Sequence, residues 1–136
     1  MRLVRLVGAL VAGAALYCVA YHPWLPYSAR ERSMQGTDFL LLVLGGIATG
    51  LACAWGSRRN RIPAAAAFLA GLWAANAIVI AADWRIDPTD HNLFPFEFVM
   101  LGFLALPVLA AAWLGAWLGS GDKRGGAAAP PEFPNS

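Results

Sequence analysis

Four long apolar runs, residues 3–21, 38–55, 62–82 and 95–118, take up most of this chain of 136 residues. Each approaches the ~20 residues that an α-helix needs to cross a hydrocarbon layer of about 30 Å. Lipid offers a backbone no hydrogen bonds, so only helices and closed β-barrels can span it. Barrel strands are shorter and alternate polar with apolar residues, which these runs do not. With 59% hydrophobic and 13% charged residues, the composition is far from that of a soluble globular domain. The fold class expected is all-α: a single integral membrane four-helix bundle over residues 1–118. Residues 119–136, rich in Gly and Pro and without periodicity, are read as a disordered cytoplasmic tail.

The first run, "MRLVRLVGALVAGAALYCVA", has the basic start and small residues of a signal peptide. Its apolar stretch exceeds the ~7 to 15 residues usual for such a leader, so it is read as a membrane helix. A lipoprotein is disfavoured by Tyr17, which stands before Cys18 where a small residue would be expected.

Charge sets the orientation. Arg2, Arg5, Arg58, Arg59, Arg61, Lys123 and Arg124 fall on one side of the expected helices, and only Arg30, Arg32 and Arg85 on the other. The positive-inside rule puts both termini and "GSRRNR" in the cytoplasm, with loops 22–37 and 83–94 outside, as in a multi-pass protein of a bacterial inner membrane. The short basic loop suits a topology determinant touching anionic lipid heads, and no nucleic-acid partner is expected. Tyr17, Tyr21, Trp24, Tyr27, Trp84, Phe94 and Phe96 would mark the outer interface, and Trp55, Trp113 and Trp117 the inner one.

Small residues let membrane helices approach closely. Spacings of four at Ala9/Gly13, Gly46/Gly50, Gly71/Ala75 and Gly115/Gly119 fit this pattern. In so Gly- and Ala-rich a chain, only "LGGIATG" with Gly46 and Gly50 is singled out, as a face for the bundle or for a homodimer. Asn76 would form an interhelical hydrogen bond, Pro107 would bend the fourth helix, and Gly56 to Arg61 would join helices 2 and 3 as an antiparallel hairpin. Cys18 and Cys53 lie roughly 20 Å apart along the membrane normal at 1.5 Å rise per residue, so no disulfide between them is expected.

The one polar-rich stretch is "DWRIDPTDHNLFPFEF", residues 83–98. Most of its acids have structural work available. Asp87 suits a cap before Pro88, with Asp90 closing the turn, and Glu97 suits the first turn after Pro95, as Asp38 does in helix 2. Arg85 would pair with Asp83 or Asp87, and Asn92 would hold the turn into helix 4. His91 and Glu97 are left over. Were the outer ends of helices 1 and 4 to adjoin, His22 would meet His91, Glu97 and the aspartates, a donor set suited to a divalent metal such as zinc. The spacing matches no metal motif, and no cofactor is expected. A carboxylate at the hydrocarbon boundary is alternatively a candidate for proton exchange or cation binding.

The string "DPTDHNLFPFE", Asp87 to Glu97, resembles a DPTxHNLxPFE-type signature of small bacterial multi-pass membrane proteins of uncharacterised activity. That resemblance implies the four-helix layout and no activity. Two functional expectations follow from the residues. The first is a non-catalytic accessory or assembly subunit of a membrane-protein complex, acting through its helices and outer loops. The second is a small homodimeric transporter or cation- or proton-binding protein using Glu97 and His91. An enzyme ranks below both, since no Ser-His or Cys-His pair accompanies the acids.

The orientation is testable by labelling. With Cys18 and Cys53 replaced by Ala, a membrane-impermeant maleimide added to spheroplasts is expected to label Thr89→Cys and to spare Ser57→Cys until the membrane is opened. The reverse pattern would invert the topology.

Overall fold

The structure, a computed structural model, describes residues 2–26, 29–30, 36–89 and 94–121. Its long elements are α1 (Arg2–Tyr21), α2 (Gly36–Ala54), α3 (Arg61–Asp83), α4 (Phe94–Phe103) and α5 (Ala105–Gly121), with a 3-10 turn at Arg58–Asn60 leading into α3. No strand occurs among the described residues. Among the described residues, four stretches are long and apolar enough to cross a membrane: Arg2–Tyr21, Gly36–Ala54, Arg58–Asp83 and Pro95–Gly119. Side chains such as Leu3, Val4, Ile62, Ile78 and Leu106 stand exposed around the bundle, as lipid-facing positions would.

The fourth stretch, Pro95–Gly119, carries the interruption expected from Pro107. It breaks at Leu104, between α4 and α5. Proline lacks an N–H and its ring crowds the carbonyl four residues earlier, here that of Phe103. The chain tightens at this point, with Leu104 N–H donating to Leu101 O at 3.1 Å. Below the break, α5 continues to Gly121, beyond the expected start of the tail. Residues 122–136 lie outside the described residues.

The heaviest packing is α1 against α3 and α2 against α5, while α2 and α3, neighbours in sequence, meet more lightly. Close contact in lipid depends on residues small enough for backbones to touch. At the α1/α3 crossing, a Cβ on Gly71 would stand 2.0 Å from Leu10 O, and one on Gly13 would stand 2.2 Å from Phe68 O. At the α2/α5 crossing, a Cβ on Gly50 would lie 2.4 Å from Val108 O, and one on Gly115 would lie 2.6 Å from Leu51 O. Gly46 faces Val108 and Phe68 in the same core. The expectation that only the Gly46/Gly50 pair forms a tight face is thus corrected: the Ala9/Gly13, Gly71/Ala75 and Gly115/Gly119 pairs also sit at helix contacts. Gly46 and Gly50 are consumed within the bundle.

Two ends result. At the basic end, Arg5 Nη1 donates to Trp55 O at 3.0 Å, and Cys53 Sγ to Arg5 O at 3.3 Å. Cys18 and Cys53 are free thiols. At the opposite, acidic end, α1 stops at His22, whose left-handed backbone (φ 49°) unwinds the helix before Pro23 while its N–H reaches Cys18 O at 3.2 Å.

The tight crossings give a direct test. Gly71→Ala is expected to destabilise the bundle by about 1–3 kcal/mol, the usual cost of overpacking. Gly8→Ala, with nothing within 4 Å of its added methyl, is expected to be neutral or slightly stabilising. Reversible unfolding in mixed micelles compares the two.

Candidate functional site

At the acidic end, the break at Leu104 lets α4 part from α2. These two helices make almost no contact. Instead, α4 rests on α3, where Trp73 Nε1 donates to Phe98 O at 3.1 Å and the two rings meet edge-on with centroids 6.1 Å apart. A cavity of about 320 Å³ opens in the resulting wedge. Its polar lining comes from four helices: Tyr17 and Tyr21 of α1, Asp38 of α2, Asn76 of α3 and Glu97 of α4. The remaining lining is carbon, including Phe39 and Met100, which are 56% and 50% exposed at the rim.

Local chemistry explains how each polar group arrives. Asp38 and Glu97 lie in the first turns of α2 and α4, where a carboxylate favours the positive end of the helix dipole. Tyr17 and Tyr21, four residues apart on one face of α1, stack with ring centroids 5.0 Å apart. The Tyr17 hydroxyl donates to Asn76 Oδ1 at 2.7 Å, with both residues buried. This is the interhelical role expected of Asn76. Its Nδ2, however, is buried without a hydrogen-bond partner, and the residue lines the cavity.

Beside the cavity lies a charge pair unforeseen in the sequence. Arg30 is 1% exposed and donates through Nη2 to Asp83 Oδ2 at the end of α3. Its guanidinium also lies over the Tyr21 ring, 5.1 Å from the centroid. The expected partnership of Asp83 with Arg85 is therefore corrected. Arg85 is exposed and has no ion pair among the described residues, because the turn after α3 carries it past the end of the bundle while Arg30 reaches in. Tyr17 is corrected as well: it is 2% exposed and belongs to the core, not to an aromatic belt.

Other candidates fall outside this cluster. Asp87 caps a turn, its Oδ1 accepting from the Thr89 N–H at 2.9 Å and hydroxyl at 2.7 Å. The Thr89 hydroxyl, then its N–H, hold the exposed Asp87 carboxyl below the usual carboxylate range. His22 packs edge-on against Trp24 at 5.1 Å and does not line the cavity. Asp90, His91 and Asn92 lie outside the described residues. Among the described residues, no three His, Cys, Asp or Glu side chains converge as a metal site.

At the basic end a shallower recess is lined by Arg2, Arg5 and Arg59 with Ser57 and Asn60. Arg61 leaves it to lie over the Trp113 ring, 3.9 Å from the centroid.

Comparison of the chain with protein-family profiles, curated proteins and solved structures finds no match.

The Arg30 contact invites a mutant cycle. Arg30→Met removes the guanidinium from the Asp83 carboxylate and is expected to cost about 3–5 kcal/mol, the usual penalty for removing one partner of a buried pair. Adding Asp83→Leu should recover most of that loss. Unfolding in bicelles measures both, and equal loss in the single and double variants would show that the pair is not what Arg30 serves.

Proposed function

We propose that this is a non-catalytic integral membrane protein whose acidic-end cavity binds a small cation or exchanges protons through Glu97 and Asp38. The observation that carries this reading is the convergence of those two carboxylates with the buried, half-satisfied amide of Asn76 around one cavity. Carboxylates near a hydrocarbon layer are costly to place and mark ion or proton sites. Among the described residues that line it, the charged ones are both acidic, which favours cations over anions.

The proposed setting is a bacterial inner membrane, with both termini and the Arg2, Arg5 and Arg59 recess on the cytoplasmic side, facing anionic lipid phosphates. The acidic end then faces outward. An accessory-subunit role draws on exposed apolar helix faces, which any membrane helix offers to lipid, so these faces give it no added weight. A homodimer would need a face other than Gly46 and Gly50.

Infrared difference spectra in nanodiscs test the reading. Addition of Na⁺, K⁺ or tetramethylammonium, or a step in pH, is expected to perturb carboxyl bands in the wild type. The response should shrink in Glu97→Gln and in Asp38→Asn. Carboxyl bands silent to every cation and to pH would overturn the proposal.

A further inference from the structure

We infer that the ligand of the acidic-end cavity is an amphipathic organic amine carrying an oxygen acceptor, entering sideways from the bilayer between α2 and α4. This rests on the cation-binding reading and narrows its substrate class. Three observations bear on it independently.

The first is the chemistry of the walls. An inorganic cation such as Ca²⁺ or Mg²⁺ needs about six or more oxygen ligands in place of its hydration shell. Here two carboxylates and a few neutral polar groups share the lining with six apolar residues. A volume of about 320 Å³ is at the lower end of the range for small organic ligands, roughly 300–1,000 Å³. A protonated amine satisfies this division, with its ammonium at Asp38 and Glu97 and its hydrocarbon along the apolar wall.

The second is Asn76. Its Oδ1 is engaged by Tyr17, while the buried Nδ2 has no partner. A wholly apolar occupant, such as a lipid tail, would leave that donor unmatched, at a cost typical of a buried unsatisfied polar group. A ligand hydroxyl or ether oxygen would satisfy it. The amine is thus expected to carry such an oxygen close to its nitrogen.

The third is the entrance. Below Leu104, α5 is held against α2 by backbone contact at Gly50 and Gly115. Above it, α4 leans on α3 through Trp73, and the gap between α2 and α4 lies on the side of the bundle, with Phe39 and Met100 exposed at its edge. In a span of this length that side faces lipid. A solute dissolved in the leaflet therefore reaches the carboxylates without crossing the polar loops.

The test follows the ¹⁵N side-chain amide resonance of Asn76 in isotropic bicelles, with three probes: N-dodecylethanolamine, its uncharged counterpart dodecanol, and the lipid-insoluble ethanolamine. N-dodecylethanolamine is expected to give a saturable shift, with dodecanol and ethanolamine each at least about tenfold weaker, equivalent to 1.4 kcal/mol. Glu97→Gln should weaken the amine by a similar factor while the backbone spectrum keeps its dispersion. Met100→Trp, which crowds the side opening, should slow or abolish the response. Saturation by dodecanol as strong as by the amine would overturn the inference. So would an Asn76 response to Na⁺ or K⁺ with none to the amine, though cation binding would stand. Silence to every probe and ion would remove both.

Discussion

Pro107 cannot donate to the carbonyl of Phe103, and the turn at Leu104 is where the chain absorbs that loss. Everything at the acidic end depends on it. With the break, α5 stays locked to α2 at Gly50 and Gly115, while α4 is free to lie on α3. The turn ahead of this proline thus separates the close α2/α5 crossing from the acidic-end cavity.

The tight half has to be tight because lipid gives helices no hydrophobic reason to associate. Dispersion between closely fitted surfaces takes over that role, and it weakens quickly with distance. The glycines at the two crossings let carbonyls sit where a methyl group would otherwise be. Above them, the polar groups are ordered by their own contacts. Tyr17 is held by Asn76, Tyr21 lies between Tyr17 and the Arg30 guanidinium, and Arg30 is anchored on Asp83. These contacts tie the α1 wall of the cavity to α3 and to Arg30. The opposite wall, α4, has no fully buried residue among its described side chains.

Much of this was legible in the residues. Run lengths and apolar composition located all four spanning stretches to within a few residues, because a hydrocarbon layer constrains length and polarity at once. Asp38, Asp87 and Glu97 were placed correctly at turns and helix starts, since capping is a local interaction. Asn76 was legible as an interhelical donor or acceptor for the same reason that it stood out: an amide in lipid needs a partner. Its partner, Tyr17, was not. An aromatic residue near a helix end reads as an interface anchor until something shows which way the helix is turned. The rotation that buries Tyr17 is set by the α1/α3 glycine contact, and the hydrogen bond it allows joins residues 59 apart in the chain.

Arg30 illustrates the same limit with charge. In sequence it was one of three arginines on the sparsely basic side, indistinguishable from Arg85. In the fold Arg30 is buried against Asp83 and Arg85 is exposed. Likewise Asp38, read only as a dipole partner, shares a cavity with Glu97. By itself the sequence determined a helical protein with four stretches long and apolar enough to cross a membrane, its charge asymmetry and its local caps, all properties of residues near one another in the chain. Only the tertiary structure decided which polar groups meet, because that follows from helix rotation and from the lean of α4 after Leu104, which arise from contacts between segments far apart in the chain.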